Sequence, residues 1–116
     1  MKHFLYSVVF AVFAIVMFVG QAQAAETRIS CTPVEVVTFQ VRVHVRCAAS
    51  IGGITFFAAA TNDAAYAARV LSVITAAQVA GRTLIILYDP ADQSGASVGC
   101  LTSDCRLIRG VGFGTR

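Results

Sequence analysis

The sequence predicts a small, mainly β domain with a single helix, in the order β-β-β-α-β-β, stabilised by disulfides. Three observations predict it. Asn62–Gly81 is one capped, alanine-rich helical stretch. Thr38–Cys47 alternates apolar and polar residues with the period of a strand. Four cysteines, an even number, all lie beyond an apolar N-terminal leader.

Residues 1–24 have the plan of a cleaved signal peptide. Lys2 and His3 form a short basic start, Phe4–Val19 is an apolar run broken only by Ser7, and Ala22-Gln23-Ala24 is a small-x-small cleavage site. The run is too short to span a bilayer comfortably, and no later segment is long enough. No cysteine follows the cleavage site to carry a lipid. The expectation is an exported protein, periplasmic or secreted, whose mature part 25–116 is a single domain with no membrane span. N-terminal sequencing of the exported protein should read from Ala25.

The formal net charge is +3, with every basic side chain after the leader an arginine. Nucleic-acid binding usually needs a concentrated basic face, so that class is not expected. Cys31, Cys47, Cys100 and Cys105 in a small exported chain read as two disulfides, with three pairings open. Cys31–Cys47 and Cys100–Cys105 are favoured because each pair brackets a hairpin or loop. Zinc would need clustered thiolates in paired C-x₂₋₄-C hooks, and one hook at most is approximated. No metal and no cofactor are expected.

The first strand falls within Thr27–Val37, and Pro33 puts it at an edge or a bend because proline cannot donate to a ladder. Thr38–Cys47 is the clearest strand. Phe39, Val41, Val43, Val45 and Cys47 share one face, and Thr38, Gln40, Arg42, His44 and Arg46 share the other. Gly52-Gly53 is a tight hairpin turn, and Ile54–Ala60 is the return strand.

Asn62 and Asp63 suit the start of the helix, as a cap and as negative charge at the positive end of the dipole. Gly81 suits its left-handed end. Tyr66, Val70, Val73, Ile74 and Ala77 form the apolar face; Arg69, Ser72 and Ala76 lie opposite. Arg82–Tyr88 is an apolar, β-branched run that reads as a strand buried on both faces, ended by Asp89-Pro90. Ala91–Gly99 is a polar loop and the segment expected to move most. Cys105–Phe113 is the last strand, where Gly110, Gly112 and Gly114 hint at a bulge or a close backbone approach.

No catalytic constellation emerges, and an enzyme is not expected. Gly95-Ala96-Ser97-Val98-Gly99 spells G-x-S-x-G, but that motif works only between a strand and a helix in a larger domain. Asp89, Asp92 and Asp104 lack the spacing of a calcium loop and suit turns. Tyr66 and Tyr88 fit as core aromatics with one wet end. His44 is the one histidine beyond the leader, and no nucleophile or orienting carboxylate adjoins it. It reads as solvated strand surface or, with Arg42 and Arg46, as part of a donor-rich stripe suited to carboxylates or sugar acids.

The strand and helix order is that of an OB-fold-like small Greek-key barrel. The stretch NDAAYAARVLSVITAAQVAGRTLIILYDP, then a loop and GC-x₄-CR, resembles the C-terminal half of subtilase-cytotoxin B-subunit-like proteins. The resemblance covers Asn62 to Arg109. It implies an exported OB-fold protein, a homo-oligomeric ring of five and glycan binding. No glycan-contacting position is carried over, because none can be matched before Ser50. The expected function is a non-enzymatic exported binding module for a glycan or an envelope or host ligand. The alternative is an envelope protein or inhibitor acting through protein–protein contact. In a ring, Arg69, Ser72 and Ala76 would line the centre, while the apolar helix face would cap the open end of the barrel.

Overall fold

The computed structural model describes residues 26–113. The expected leader at 1–24, Gly114 and Arg116 lie outside them. In order come β1 (Thr27–Cys31), β2 (Pro33–Thr38), β3 (Arg42–Ile51), β4 (Ile54–Ala60), α1 (Ala64–Ala80), β5 (Leu84–Tyr88), a 3-10 turn (Ser94–Val98), β6 (Cys105–Leu107) and β7 (Gly110–Phe113). The expected sequence of strands, helix and strands is present, but the strand count differs. The first expected strand is two, β1 and β2, broken at Thr32-Pro33. The last is also two, β6 and β7, broken at Ile108-Arg109.

Both breaks have a physical reason: at each, the chain passes from one sheet to another. A three-stranded antiparallel sheet has the order β1-β5-β7, and a four-stranded sheet has the order β2-β3-β4-β6 with β4 and β6 parallel. Ile108 N–H bonds to Ala58 O at 2.7 Å on the second sheet, and the next amide, Arg109, bonds to Leu87 O at 2.8 Å on the first. The described strands form two sheets joined at these corners rather than a closed barrel.

A third departure lies in Thr38–Cys47. Thr38 ends β2, Phe39–Val41 turns, with Phe39 N–H bonded to Arg42 O at 2.7 Å, and β3 starts at Arg42. The alternation carried straight through a turn that contains no glycine or proline to mark it. Phe39 and Val41 are consequently exposed rather than facing inward with Val43 and Val45. The Gly52-Gly53 hairpin is as expected, with φ of +56° and +82° at the two glycines.

Helix α1 is capped by Asp63, whose carboxylate accepts from Tyr66 N–H at 3.1 Å; Asn62, one residue earlier, accepts from Asp63 N–H instead. Gly81 closes the helix with φ +64°. Val70, Ile74 and Ala77 are buried, with Ala67 beside them and Tyr66 and Val73 half-buried. This stripe packs on β2, β3 and β4 of one sheet and on β7 of the other, so the helix covers the gap between the sheets. Between them Val45, Phe57, Leu84 and Ile86 are fully buried, and Phe57 meets Tyr88 edge-on with ring centroids 4.9 Å apart. β5 is central in its sheet but buries only Leu84, Ile86 and Tyr88. Ile85 and Leu87 are half-buried on its outer face, which corrects the expectation of burial on both faces.

The disulfides are Cys31–Cys47 and Cys100–Cys105, the favoured pairing. The first ties β1 to β3 inside the core; the second closes the loop that precedes β6. As disulfide sulfurs they present no thiolate to zinc.

Candidate binding groove

On β3, Val43, Val45 and Cys47 enter the core, so period-two alternation turns Arg42, His44 and Arg46 to the outer face of the four-stranded sheet. The Phe39–Val41 turn brings the Phe39 ring onto the same face. Its centroid lies 5.0 Å from that of His44, and Arg42 Cζ sits 4.0 Å above the ring. Phe56 of β4 closes from the other side, with its centroid 5.1 Å from the imidazole. His44 is therefore held between two aromatic rings and is only 7% exposed, which corrects its reading as solvated strand surface.

The missing carboxylate comes from the neighbouring strand. Glu35 of β2 places Oε1 3.3 Å from His44 Nε2 and Oε2 3.6 Å from Arg46 Nε. Because an ionised carboxylate only accepts, this contact asks for a proton on Nε2. Glu35 was legible only as one polar residue in VEVV. What makes it a partner is the register that sets Glu35 against Arg46 and Val37 against His44.

Arg42 faces the loop that follows β5. Its Nη1 donates to Val98 O at 2.9 Å, while Nε is buried and has no hydrogen-bond partner among the described residues. Gly99 makes this approach possible. Its φ is +83°, and a Cβ there would lie 2.5 Å from Arg42 Nη1. Between the guanidinium, His44, Phe56 and the loop residues Gly99, Leu101 and Asp104 lies an open groove of about 140 Å³. The structure thus brings Arg42 and His44 together in one groove and leaves Arg46 outside its lining, half-exposed and paired with Glu35. Phe39, Phe56, Gly99, Leu101 and Asp104 were not selected by sequence reasoning. The Gly-Gly hairpin does not reveal Phe56 either: it pairs Ile51 with Ile54, and a register shift between Arg46 and Ile51 is what sets Phe56 against Arg46.

The loop wall at 91–99, expected to move most, carries several contacts of its own. It contains the 3-10 turn, and Gly95 packs so closely that a Cβ would lie 2.8 Å from Cys100 Cβ. Buried Arg106 donates to the carbonyls of Pro90, Thr102 and Cys105, each at 2.7 Å. Asp89 and Asp92 act as turn formers, accepting from Ala91 N–H and Ser94 N–H at 2.9 Å. Arg109 Nη2 lies 3.5 Å from Asp89 and 3.7 Å from Asp92. The hydrogen bonds from Ser94 hold the Asp92 carboxyl below its ordinary value, with Arg109 adding to the effect. In the G-x-S-x-G stretch, Ser97 Oγ donates to Ser94 O at 3.2 Å.

The remaining predicted positions lie elsewhere. Arg69, Ser72 and Ala76 are exposed on the side of α1 away from the core. Tyr66 donates its hydroxyl to Ile108 O at 2.9 Å, and burial pushes its ionisation upward, with Arg69 pulling the other way and Asp63 adding to the rise. Among the described residues, no helix is long and apolar enough to cross a membrane, and no three His, Cys, Asp or Glu side chains gather as a metal site. The groove can offer one cation, one carboxylate, an imidazole edge and an aromatic face to a ligand small enough to enter.

No family model matches the chain, and no curated protein or solved structure matches it either, so nothing beyond the residues themselves links it to subtilase-cytotoxin B-subunit-like proteins.

Proposed function

We propose that the chain is an exported, non-enzymatic binding domain that takes a glycan, favouring one with an acidic group, in the Arg42–His44–Phe56 groove. The observation that carries this reading is the convergence of a guanidinium with a buried, unsatisfied N–H, a carboxylate and an aromatic ring on one small open groove. An OB-fold-like form supports it. With β1–β2 and β6–β7 each counted as one bent strand across the two sheets, the order β1/β2–β3–β4–β6/β7–β5 suits a partly open Greek-key form. The resemblance over Asn62–Arg109 adds a ring of five with Arg69, Ser72 and Ala76 towards its centre. Those three residues are exposed, as that arrangement requires.

A glycan array followed by native mass spectrometry tests the reading. Acidic glycans should bind, and Arg42→Gln should weaken them by about tenfold, the worth of one charge-assisted hydrogen bond. Ala76→Glu should reduce the oligomer. A monomer that binds no glycan would overturn both parts. One observation favours the second reading, contact with an envelope or host protein: Leu101 in the groove wall is 63% exposed, and Phe39 and Val41 are also exposed nearby in sequence to Arg42. A stoichiometric protein partner lost on Leu101→Asp, with no glycan bound, would select it.

A further inference from the structure

The outer face of the three-stranded sheet carries an open trough of about 310 Å³, lined by Arg28, Ile85, Leu87, Gly110, Gly112 and Phe113. Its shape follows from register. Arg28 and Gly110 flank Leu87, and Gly112 lies beside Ile85, so two glycines occupy the β7 positions where side chains would cover the apolar residues of β5. A Cβ on Gly112 would meet nothing within 4 Å, whereas one on Gly110 would lie 3.0 Å from Leu87 Cδ1. The floor is thus apolar and bare at Gly112. Glycine weakens a strand, and its use at both outward positions fits a surface kept open for close approach.

The charge of the lining is one-sided. Arg28 is exposed, and among the described residues it has neither a hydrogen bond nor an ion pair. No acidic residue lines the trough. Arg28 stands at the end where Leu87 pairs with Gly110, and the exposed Phe113 stands at the other, three residues along. At strand rise that separation is about 10 Å. Arg82 lies at the far end, with its Cζ 5.2 Å from the Phe113 ring centroid, but it is not part of the lining; an apolar floor of this length that begins at the Arg28 cation matches an extended alkyl chain that ends in a carboxylate.

We propose that this trough binds a free medium-chain fatty acid, its carboxylate on Arg28 and its chain along Ile85 and Leu87 towards Phe113. The site lies on the other sheet from the Arg42 groove and does not depend on it.

Isothermal titration of the purified chain with octanoate, decanoate and decanol, all below their critical micelle concentrations, tests this. Decanoate should bind more tightly than octanoate, by about fourfold for each added methylene. Arg28→Gln should weaken decanoate by about tenfold and leave decanol unchanged. Gly112→Val fills the notch at an ordinary strand position, so it should abolish binding of both while circular dichroism and melting stay as in the parent. Absence of decanoate binding, or binding that survives Gly112→Val, would overturn the proposal. Concentration-dependent dimerisation that decanoate does not reverse and Gly112→Val removes would also overturn it, because a second copy would then be the occupant.

Discussion

The two sheets turn unlike outer faces to solvent. On the four-stranded sheet, a disulfide-closed loop folds over β4 and β6, and side chains from β2, β3, β4 and the loop crowd round His44. On the three-stranded sheet, β7 offers Gly110 and Gly112, and Ile85 and Leu87 remain half-covered. The same alternation of inward and outward residues builds both. The difference lies in what the chain does after leaving each sheet. The connection from β5 to β6 returns across one outer face, pinned by Cys100–Cys105 and Arg106, so polar groups there are held in place. A site of several polar partners therefore depends on that loop, whereas an apolar trough depends only on which side chains are missing.

That contrast can be broken in stages. The largest effect is expected from the core disulfide, which belongs to neither face: Cys31→Ala with Cys47→Ala should cost about 3 kcal/mol in chemical denaturation. Replacing Cys100 and Cys105 by Ala should cost about 2 kcal/mol, since the closed loop is shorter. It should also weaken ligands of the Arg42 groove while leaving the trough unchanged. Equal loss at both sites would mean that the loop supports the whole domain.

Gly99→Val should destabilise by about 1–3 kcal/mol, because a β-branched residue is strained at positive φ and its Cβ strikes Arg42. Tyr66→Phe removes the bond to Ile108 O at the corner between the sheets and should cost about 1 kcal/mol. The smallest effect concerns Asp92. Its folded value is depressed, so its contribution is present above the ordinary carboxyl range near 3.8 and is lost as pH falls through the depressed value. Melting temperature should therefore fall more steeply below pH 4 in the parent than in Asp92→Asn. Identical slopes would remove Asp92 from the loop's support.

Much of the fold was legible because it rests on local signals. The helix had alanine content, a three-four apolar stripe and glycine at its end; the β3–β4 hairpin had two glycines; the disulfides bracketed adjacent elements. The errors came where a local pattern ran on past a global event. Alternation from Thr38 to Cys47 concealed the turn at Phe39–Val41. Pro33 did mark an edge or a bend, and β2 begins there at the edge of its sheet; the run Cys105–Phe113 concealed the corner at Ile108-Arg109, where the backbone changes sheets. Of the groove, Arg42 and His44 could be named from alternation alone. Glu35, Phe56 and Asp104 could not, since they reach it by strand register and loop return.

By itself the sequence determined one helix with its apolar face and its end, the mainly β character of the rest and the pairing favoured for the cysteines. Helical period, strand alternation and loop closure act between residues close along the chain. Only the tertiary structure decided that His44 is buried between two rings, that Glu35 is its partner, that Arg42 meets Gly99 and that Gly112 opens a trough. Each of these depends on a turn, a strand register or a loop return rather than on local periodicity, and is made when sheets twist, bend at corners and exclude water from one face and not the other.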